Sequence, residues 1–471
     1  MTEPSARNWQ TIVAFCLTSL LIACSMPREE ADGLVTIAAP AATTARTSTL
    51  PADTPVPVPV NIRPDHIVMY EINLRAFSPT GDLAGVISRM DDIQALGVNV
   101  IWLMPIFPMG KVKSVGSPYC VQDYLAVDPE FGTMNDLKTL VEEAHKRGMA
   151  VILDWVANHT AWDHPWLADP SWYTQVGGEV ISPAGTGWAD VADLNYNNPD
   201  MRQAMIGALT YWVEETNIDG FRFDAADLVP FDFWKQAIDI LNAIPGRDLI
   251  LLAEGMRGDH YQAGFQMTYA WDYYQALKSV FDGQPATLLY TTHLAEYRDL
   301  APGQEKLRFT TNHDESAWDA TPVVLFNGKD GALAASLITM YMGGVPMLYG
   351  SQEIGAARTV SFFERTPVDW GQNPDMLQFY QQMLAFHADS LALLEGALED
   401  CSSRDVVCFR RIASEEEVLV IVNVRQSRVS FEPSPVLAAE TWVDAFSAAS
   451  VRMDVPLFLD GNEFLVLQNV K

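Results

Sequence analysis

The alternation of short apolar segments with amphipathic helical patterns from Ile67 onward predicts an α/β protein, a (β/α)8 TIM barrel. Two further observations complete the predicted architecture. Residues 160–198 follow the third predicted strand as a long stretch rich in Trp, Asp, Gly and Pro, which indicates a small inserted subdomain. Beyond residue 389 predicted strands follow one another without helices, which indicates an all-β sandwich. The predicted units are a barrel over 63–388, with its insertion, and a C-terminal β-domain over 389–471.

Eight segments predict buried strands because they are short, apolar and bounded by turn residues. They are Ile67–Ile72, Val98–Pro105, Ala150–Asp154, Gly220–Asp224, Leu249–Ala253, Thr268–Trp271, Leu307–Thr311 and Val345–Tyr349. Helical patterns separate them, such as Asn135–Arg147, which stops at Gly148. Apolar strands interleaved with helices indicate a parallel sheet covered on both faces. A doubly wound sheet is the alternative, but it favours a glycine-rich phosphate turn after an early strand, and none is found.

The first residues resemble a bacterial export signal. Thr11–Ala23 is an apolar run, shorter than the ~20 residues of a membrane-spanning helix. It ends in Leu21–Cys24, which resembles the lipobox of bacterial lipoproteins, where the cysteine is lipidated and becomes the mature N-terminus. We expect a signal peptide over 1–23, a lipid anchor at Cys24 and a disordered Pro/Thr/Ala-rich tether over 24–62. The protein is then extracytoplasmic, anchored to the cell envelope or secreted; an ordinary signal peptide and an uncleaved anchor are the alternatives.

Composition limits the partners of this chain. Its 471 residues are 49% hydrophobic, which is ample for large cores, and its formal net charge is −30. Such a surface repels polyanions, which argues against nucleic acid and against anionic lipid. We therefore expect no nucleic-acid partner and membrane contact only through the N-terminal lipid. A neutral substrate would not be affected by this charge, and we expect a monomer.

The positions of the five cysteines predict different roles for them. Cys16 lies inside the predicted signal and would be removed with it. Cys401 and Cys408 flank a predicted turn and can pair if the protein is exported. Cys120 is then left as a free, partly buried thiol.

Four short stretches carry the residues best suited to chemistry, and each follows a run that predicts a buried strand. They are Asp154–His159, Gly220–Asp224, Ala253–Gly255 and Thr311–Asp314. Residues at the carboxyl ends of barrel strands face one rim, so these stretches bring several carboxylates, an arginine and two histidines together. Such a rim has the equipment for cleaving or transferring a glycosidic bond.

Three acids, Asp224, Glu254 and Asp314, follow the fourth, fifth and seventh predicted strands. Glycoside cleavage needs one carboxylate as nucleophile or base and one carboxylic acid to protonate the leaving oxygen. Arg222 lies two residues before Asp224, so both side chains point the same way and the guanidinium keeps the carboxylate ionised, which suits a nucleophile. Glu254 should be partly desolvated and near other carboxylates, which raises its pKa and suits a general acid.

Other polar and aromatic residues are candidates for binding. His159 and His313 each follow an asparagine and are interpreted as donors to sugar hydroxyls, with metal binding or structural hydrogen bonding as the alternatives. Asp154 is interpreted as a buried structural carboxylate. Aromatic residues in the loops are weaker candidates for sugar platforms, because aromatic side chains more often belong to a core. These aromatic residues are Trp162, Trp166, Trp188 and Trp318.

Together the four stretches resemble the four sequence regions of the α-amylase family of glycoside hydrolases, in order and at fitting separations. The resemblance extends from about Ile67 to the end of the chain. Further segments that match the family are Ser117–Tyr119 leading to Asp123–Tyr124, Asp128–Thr133, Val191–Asn195 and Gly350–Gly355.

The resemblance implies a retaining mechanism. Asp224 would form a β-linked glycosyl-enzyme, and Glu254 would act first as the acid and then as the base for water. Asp314 would bind the 2- and 3-hydroxyls of the distorted sugar. The reacting carboxyl groups should lie ~5–5.5 Å apart. Residues implied to orient the nucleophile or to bind the sugar are Tyr119, His159, Arg222 and His313.

The resemblance also implies a calcium ion between the barrel and the insertion, with Asn158 and Asp193 as two of its ligands. The sequence departs from the family at Ala225–Asp227, where calcium-dependent α-amylases commonly carry a Lys-His pair. This departure leaves open both calcium binding and strict α-amylase specificity.

The resulting hypothesis is an exported hydrolase of α-1,4-glucosidic bonds in starch-like glucans or malto-oligosaccharides. Within the family, the alternatives are an α-1,6-glucosidase, to whose sequences Asp193–Asn195 is similar, and a transglycosylase. A non-catalytic carbohydrate-binding subunit is a third hypothesis. The presence of all three acids argues against that hypothesis, because such proteins usually lose them.

Overall fold

The computed structural model describes residues 60–470 and confirms the predicted fold class. Eight parallel strands close into a barrel, in which strand 1 pairs with both strand 2 and strand 8. The predicted signal peptide over 1–23, Cys24 and nearly all of the tether lie outside the described residues. Numbered 1 to 8 in chain order, the barrel strands are Met69–Ile72, Val100–Leu103, Ala150–Val156, Gly220–Asp224, Ile250–Ala253, Met267–Tyr269, Glu305–Arg308 and Val345–Tyr349.

Helices connect the strands and cover the outside of the barrel. The longer ones are Met134–His145, Pro199–Thr216, Phe231–Asn242, Trp271–Phe281, Thr287–Tyr297, Lys329–Tyr341 and Pro374–Asp389. The shorter ones are Leu74–Phe77, Leu83–Ile87, Met90–Leu96, Asp259–Ala263, His313–Trp318, Pro322–Leu325 and Leu391–Glu395. Within residues 60–470, no helix combines the length and the apolar character that crossing a bilayer requires.

Most predicted elements are present, with shifted ends. Thr133 and Asp136 form a capping box that starts helix Met134–His145, one residue earlier than predicted. Trp271, predicted to end strand 6, begins the next helix, and strand 7 ends at Arg308. The first error occurs where one apolar run spans the strand and the start of the helix, a boundary that hydrophobic pattern alone does not mark. In the second, residues 309–311 are buried like a strand but lie beyond the last pair of the ladder.

Side chains fill the interior of the barrel. Alternate residues of the strands point inward and form one buried cluster, while the residues between them pack against the helices. Burial on both faces explains why these strands are continuous apolar runs in the sequence. The packed interior forms a rigid floor beneath the carboxyl ends of the strands. Members of the inner cluster include Met69, Val100, Trp102, Ile152, Leu252, Leu307 and Met347.

The connection after strand 3 forms the inserted subdomain. Its first ribbon pairs His159–Ala161 with Val191–Asp193, and a smaller ribbon pairs Gln175–Val176 with Glu179–Val180. The first ribbon begins at His159, one residue before the predicted boundary at 160. The subdomain is therefore attached directly to one of the four chemically suited stretches.

The C-terminal domain is a β-sandwich, as predicted. Phe431 and Leu459 of the small sheet share one buried cluster with Ile421 and Trp442 of the large sheet. Cys401 and Cys408 form a disulfide, and Cys120 is a buried free thiol. The large sheet contains Ala397–Asp400, Val406–Ile412, Glu416–Asn423, Trp442–Asp444, Ser450–Val451 and Phe464–Val470, and the small sheet contains Val429–Phe431 and Leu457–Leu459.

Candidate active site

Two of the three acids lie side by side at the carboxyl ends of neighbouring barrel strands. Asp224 is the last residue of strand 4, and Glu254 directly follows strand 5. The register pairs Phe223 with Ala253, so the next residue on each strand emerges at the same level. The Glu254 N–H donates to the Phe223 carbonyl at 2.9 Å, and the Ala225 N–H donates to the Glu254 carboxylate at 2.7 Å. These bonds fix the Glu254 side chain against the end of strand 4.

The third acid, Asp314, reaches the rim on a short helix. Helix His313–Trp318 begins shortly after strand 7, and the Asn312 side chain caps it by accepting from the Glu315 N–H at 2.8 Å. The Asp314 side chain is 39% exposed, whereas that of Asp224 is 13% exposed. Asp314 is therefore the acid most open to a ligand.

One guanidinium links the buried acids. Nη1 of Arg222 lies 2.7 Å from Asp154 and 3.0 Å from Asp224, and Nη2 lies 2.9 Å from Glu254. The Arg222 side chain is fully buried, and its Nε donates to the Tyr269 hydroxyl at 3.2 Å. Because one planar group contacts both Asp224 and Glu254, the two acids face a common space. This arrangement is compatible with the ~5–5.5 Å separation of retaining glycosidases.

Burial and neighbouring charges separate the acid–base behaviour of the two acids. Burial raises the pKa of Glu254 to about 7, against the opposing charge of Arg222. Burial also raises the pKa of Asp224 to about 6, and Asp154 and Asp314 add to that rise. Arg222 lowers the pKa of Asp224, the direction expected of a guanidinium that keeps it ionised, but burial outweighs this effect. As pH rises, Asp224 still ionises before Glu254, which is the order a nucleophile and a general acid need.

His313 controls the charge of Asp314. The Nε2 atom of His313 lies 3.4 Å from the Asp314 carboxylate and 2.8 Å from the Tyr119 hydroxyl, while its Nδ1 lies 2.5 Å from Glu71. Burial favours the neutral form of Asp314, but the charge of His313 outweighs it and lowers the pKa of Asp314. Asp314 is thus ionised near neutral pH, and its carboxylate is available to accept hydrogen bonds.

His159 is neutral and already has two partners. Burial lowers its pKa to about 4. Its Nε2 lies 3.2 Å from the Tyr119 carbonyl, and its Nδ1 lies 3.2 Å from the Asn158 amide nitrogen. These partners assign the hydrogen to Nε2 and the lone pair to Nδ1. His159 therefore holds the backbone of Tyr119 in place. A contact between His159 and a sugar stays a prediction.

Sequence reasoning missed a carboxylate clamp beside Glu254. Asp227 accepts hydrogen bonds from the Met256 N–H at 3.0 Å and the Arg257 N–H at 3.2 Å, and its carboxylate lies 2.7 Å from Nε2 of His260. A Cβ added at Gly255 would lie 2.3 Å from Asp227 Oδ1, so a larger residue here would have to displace the Asp227 side chain. Asp227, in the segment where the sequence departs from the resembled family, thus holds the loop after strand 5. Its sequence signal is the departure at Ala225–Asp227 itself.

The loop aromatics differ in exposure. Trp318 is 68% exposed, and it contributes to lowering the pKa of Asp314. The Trp188 ring contacts His159, and the Trp162 ring lies 3.5 Å from Lys113 Nζ. Trp166 instead packs among aromatic rings of the insertion and its surroundings. Trp318 is therefore the best placed of the four to meet a ligand.

Asn158 and Asp193 meet where the insertion joins the barrel. Asp193 pairs with His159 across the first ribbon, and the Leu194 N–H donates to the Asn158 carbonyl at 3.2 Å. Burial raises the pKa of Asp193, and no positively charged side chain of residues 60–470 forms an ion pair with it. Backbone pairing thus links a half-buried carboxylate without a protein cation to the segment of a buried amide, and both offer the oxygen ligands that suit a hard cation such as calcium.

Comparisons with known proteins agree with this geometry. The family model described as "Alpha amylase, catalytic domain" matches residues 44–175 and 186–383. An alpha-amylase of Dictyoglomus thermophilum, Alpha-amylase 2, is 27% identical over 392 residues, which cover 77% of this chain and 67% of that one. A trehalose synthase/amylase of Mycobacterium tuberculosis is 34% identical over 215 residues, which cover 38% of this chain and 35% of that one. The crystal structure of an alpha-amylase from Lactobacillus plantarum, 28% identical, superposes with a TM-score of 0.77 over 87% of this chain and 100% of that one.

A barrel with paired carboxylates of graded acidity at its rim defines a glycoside hydrolase. The chain belongs to the α-amylase family.

The two raised pKa values predict a narrow pH optimum. With Asp224 as the predicted nucleophile and Glu254 as the predicted acid, turnover needs Asp224 ionised and Glu254 protonated. Asp224 gains its charge as pH rises through about 6, and Glu254 loses its proton as pH rises through about 7, so kcat/KM should peak between these values. The check is kcat/KM measured across buffers of constant ionic strength. A flat profile, or an optimum in the alkaline range, would contradict the acid–base assignment.

Proposed function

We propose that this protein is a retaining hydrolase of α-1,4-glucosidic bonds in starch-like glucans and malto-oligosaccharides. The observation that supports it is the single buried guanidinium of Arg222 shared by Asp224 and Glu254, with the ionised Asp314 beside them. The relatives named alpha-amylase support an α-glucan substrate.

In the proposed first step, the Asp224 carboxylate attacks the anomeric carbon while Glu254 gives its proton to the departing oxygen. Arg222 keeps the attacking oxygen oriented. Asp314 accepts hydrogen bonds from ring hydroxyls, which strengthen as the sugar flattens toward its oxocarbenium-like transition state. In the second step the Glu254 carboxylate takes a proton from water, whose oxygen displaces Asp224 and restores the original configuration.

A second candidate is action on α-1,6 bonds, or transfer to a sugar acceptor instead of water. Asp193–Asn195 favours the α-1,6 reading, and the trehalose synthase/amylase relative favours transfer. Against the α-1,6 reading, the Asn195 side chain is used inside the insertion: its amide donates to the Ser171 carbonyl at 3.0 Å, and its oxygen accepts from the Asn197 N–H at 3.1 Å. Both readings use the same three acids.

The products formed from a panel of substrates separate these readings. We expect wild-type protein to release maltose or glucose from starch and to cleave maltotriose, because both contain α-1,4 bonds. Isomaltose, pullulan and sucrose are the comparison substrates, and chromatography of the products is the measurement. Activity confined to isomaltose would favour the α-1,6-glucosidase, and new oligosaccharides or trehalose would favour transfer.

Substitutions of the two reacting acids should differ in their dependence on the leaving group. Asp224→Asn should abolish turnover of every substrate, because no covalent intermediate forms. Glu254→Gln should nearly abolish starch hydrolysis but spare much of the first step on a 4-nitrophenyl glycoside, whose leaving group needs no proton. Burst kinetics with the nitrophenyl substrate is the measurement, and Asp227→Asn is the comparison variant on the same rim. Equal losses of Glu254→Gln on both substrates would overturn its assignment as the acid.

We also propose that a calcium ion bound by Asn158 and Asp193 stabilises the junction of insertion and barrel. The site would add a positive charge to the half-buried carboxylate of Asp193. Calcium takes about six to eight oxygen ligands, so backbone carbonyls and water would complete the shell.

Chelation tests the calcium proposal. A chelator should lower the thermal midpoint of the wild-type protein by several degrees, and calcium should restore it, because ligand binding adds to the stability of the folded state. Asp193→Asn should remove most of this response. Asp190→Asn, at a similarly half-buried acid nearby, should keep it. An unchanged midpoint in wild-type protein would contradict the proposal.

Export and lipid anchoring at Cys24 are the last part of this proposal. The lipobox-like Leu21–Cys24 supports them, and the Cys401–Cys408 disulfide is of the kind that persists in oxidising compartments. Cys24→Ser should release the protein from membranes in a bacterial host, as followed by fractionation, whereas Cys16→Ser should leave it bound. Unchanged membrane association of Cys24→Ser would discard the anchor.

A further inference from the structure

A buried acid on strand 1 has no place in the chemistry described so far. Glu71 is fully buried in the apolar strand Met69–Ile72, and one of its oxygens, Oε2, has no hydrogen-bond partner in the described part of the chain. Its other oxygen lies 2.5 Å from Nδ1 of His313. An acid is costly to bury without compensation, so this contact is the feature that accounts for it.

The hydrogen bonds around His313 determine how many protons its ring carries. The Tyr119 hydroxyl has one hydrogen, which it donates to Asp154 at 3.0 Å. Toward Nε2 of His313, 2.8 Å away, that hydroxyl must then accept, so Nε2 carries a hydrogen. A further proton lies between Nδ1 and Glu71. The Asp314 carboxylate, 3.4 Å from Nε2, stabilises that proton on the imidazole rather than on the acid.

We propose that Glu71 is a positioning residue that holds His313 as a doubly protonated imidazolium, which in turn keeps Asp314 ionised toward the sugar. Glu71 touches no substrate and acts through His313. The inference deepens the proposed function and rests on it for the role of Asp314.

The charges around His313 give the direction of the pH effect. Burial alone would lower the pKa of His313, but Asp314 and Glu71 outweigh it and hold that pKa well above its ordinary value. Without the charge of Glu71, burial lowers the pKa of His313 with less opposition from neighbouring charges. His313 should then lose its proton at a lower pH, and Asp314 should become easier to protonate. The other titratable or charged groups that face this pair are Tyr119 from the loop after strand 2, Asp154 from strand 3, Arg222 and Asp224 from strand 4, Tyr269 from strand 6 and Tyr349 from strand 8.

The first test reads the imidazole directly. The chain has 8 histidines, so nitrogen-15 NMR of the side chains is tractable, and His313→Gln identifies the signal of His313. Wild-type protein should show two protonated ring nitrogens on His313 at neutral pH. Glu71→Gln, which keeps the shape and an accepting oxygen, should show one. A neutral His313 in the wild type would overturn the proposal, even if the variant fails to fold.

The second test is the pH profile of starch hydrolysis. In Glu71→Gln the acidic limb of kcat/KM should move to higher pH, because Asp314 without the imidazolium keeps its proton to a higher pH, and a shift of about one unit lowers activity roughly tenfold below that limb. Glu353→Gln is the matched control, because Glu353 is equally buried and bonds the Tyr70 hydroxyl instead of a histidine. It should leave both the profile and the His313 signal unchanged. A Glu71→Gln profile that only scales down, without moving its acidic limb, would overturn the proposal. A wild type inactive on every glucan would reject the proposed function, and the NMR test of Glu71 would still apply.

Discussion

The buried guanidinium of Arg222 is the interaction on which the site depends. It touches Asp154, Asp224 and Glu254 at 2.7 to 3.0 Å with its own side chain fully buried. A guanidinium buried without partners would be costly, and so would any of these acids. Each therefore requires the others, and the group is held at one level because strands 3, 4 and 5 are in parallel register. Lysine would be a poor substitute, since it cannot contact three acids from a fixed plane.

The balance of charges explains the graded acidity of the site. Two buried cationic side chains, Arg222 and His313, serve more carboxyl groups than they can neutralise. In a desolvated space, at least one acid must then keep its proton near neutral pH. Glu254 is that acid, with its pKa raised to about 7. The carboxyl groups around these cations are Glu71, Asp154, Asp224, Glu254 and Asp314.

The barrel fixes the positions of the acids, and the loops around them expose apolar side chains to solvent. Apolar side chains at the ends of these loops are exposed, among them Leu228 at 48%, Met256 at 44% and Trp318 at 68%. Sugar rings have apolar faces, so exposed apolar residues of this kind can contact a sugar without changing the arrangement of the acids. The clamp of Asp227 on the loop after strand 5 sets where Met256 stands. A fixed set of acids with differing loops is compatible with relatives whose names range from alpha-amylase to trehalose synthase/amylase.

The sequence alone was enough to predict the barrel, the insertion, the sandwich and the three acids. Each follows from local pattern: continuous apolar strands between helices, and polar residues at the strand ends. The sequence did not give the final pKa of Asp224, because burial and the distant Asp154 and Asp314 outweigh the neighbouring Arg222. Only the tertiary structure brought Glu71 of strand 1 to His313 beyond strand 7, since that contact spans 242 residues and exists only once the barrel closes.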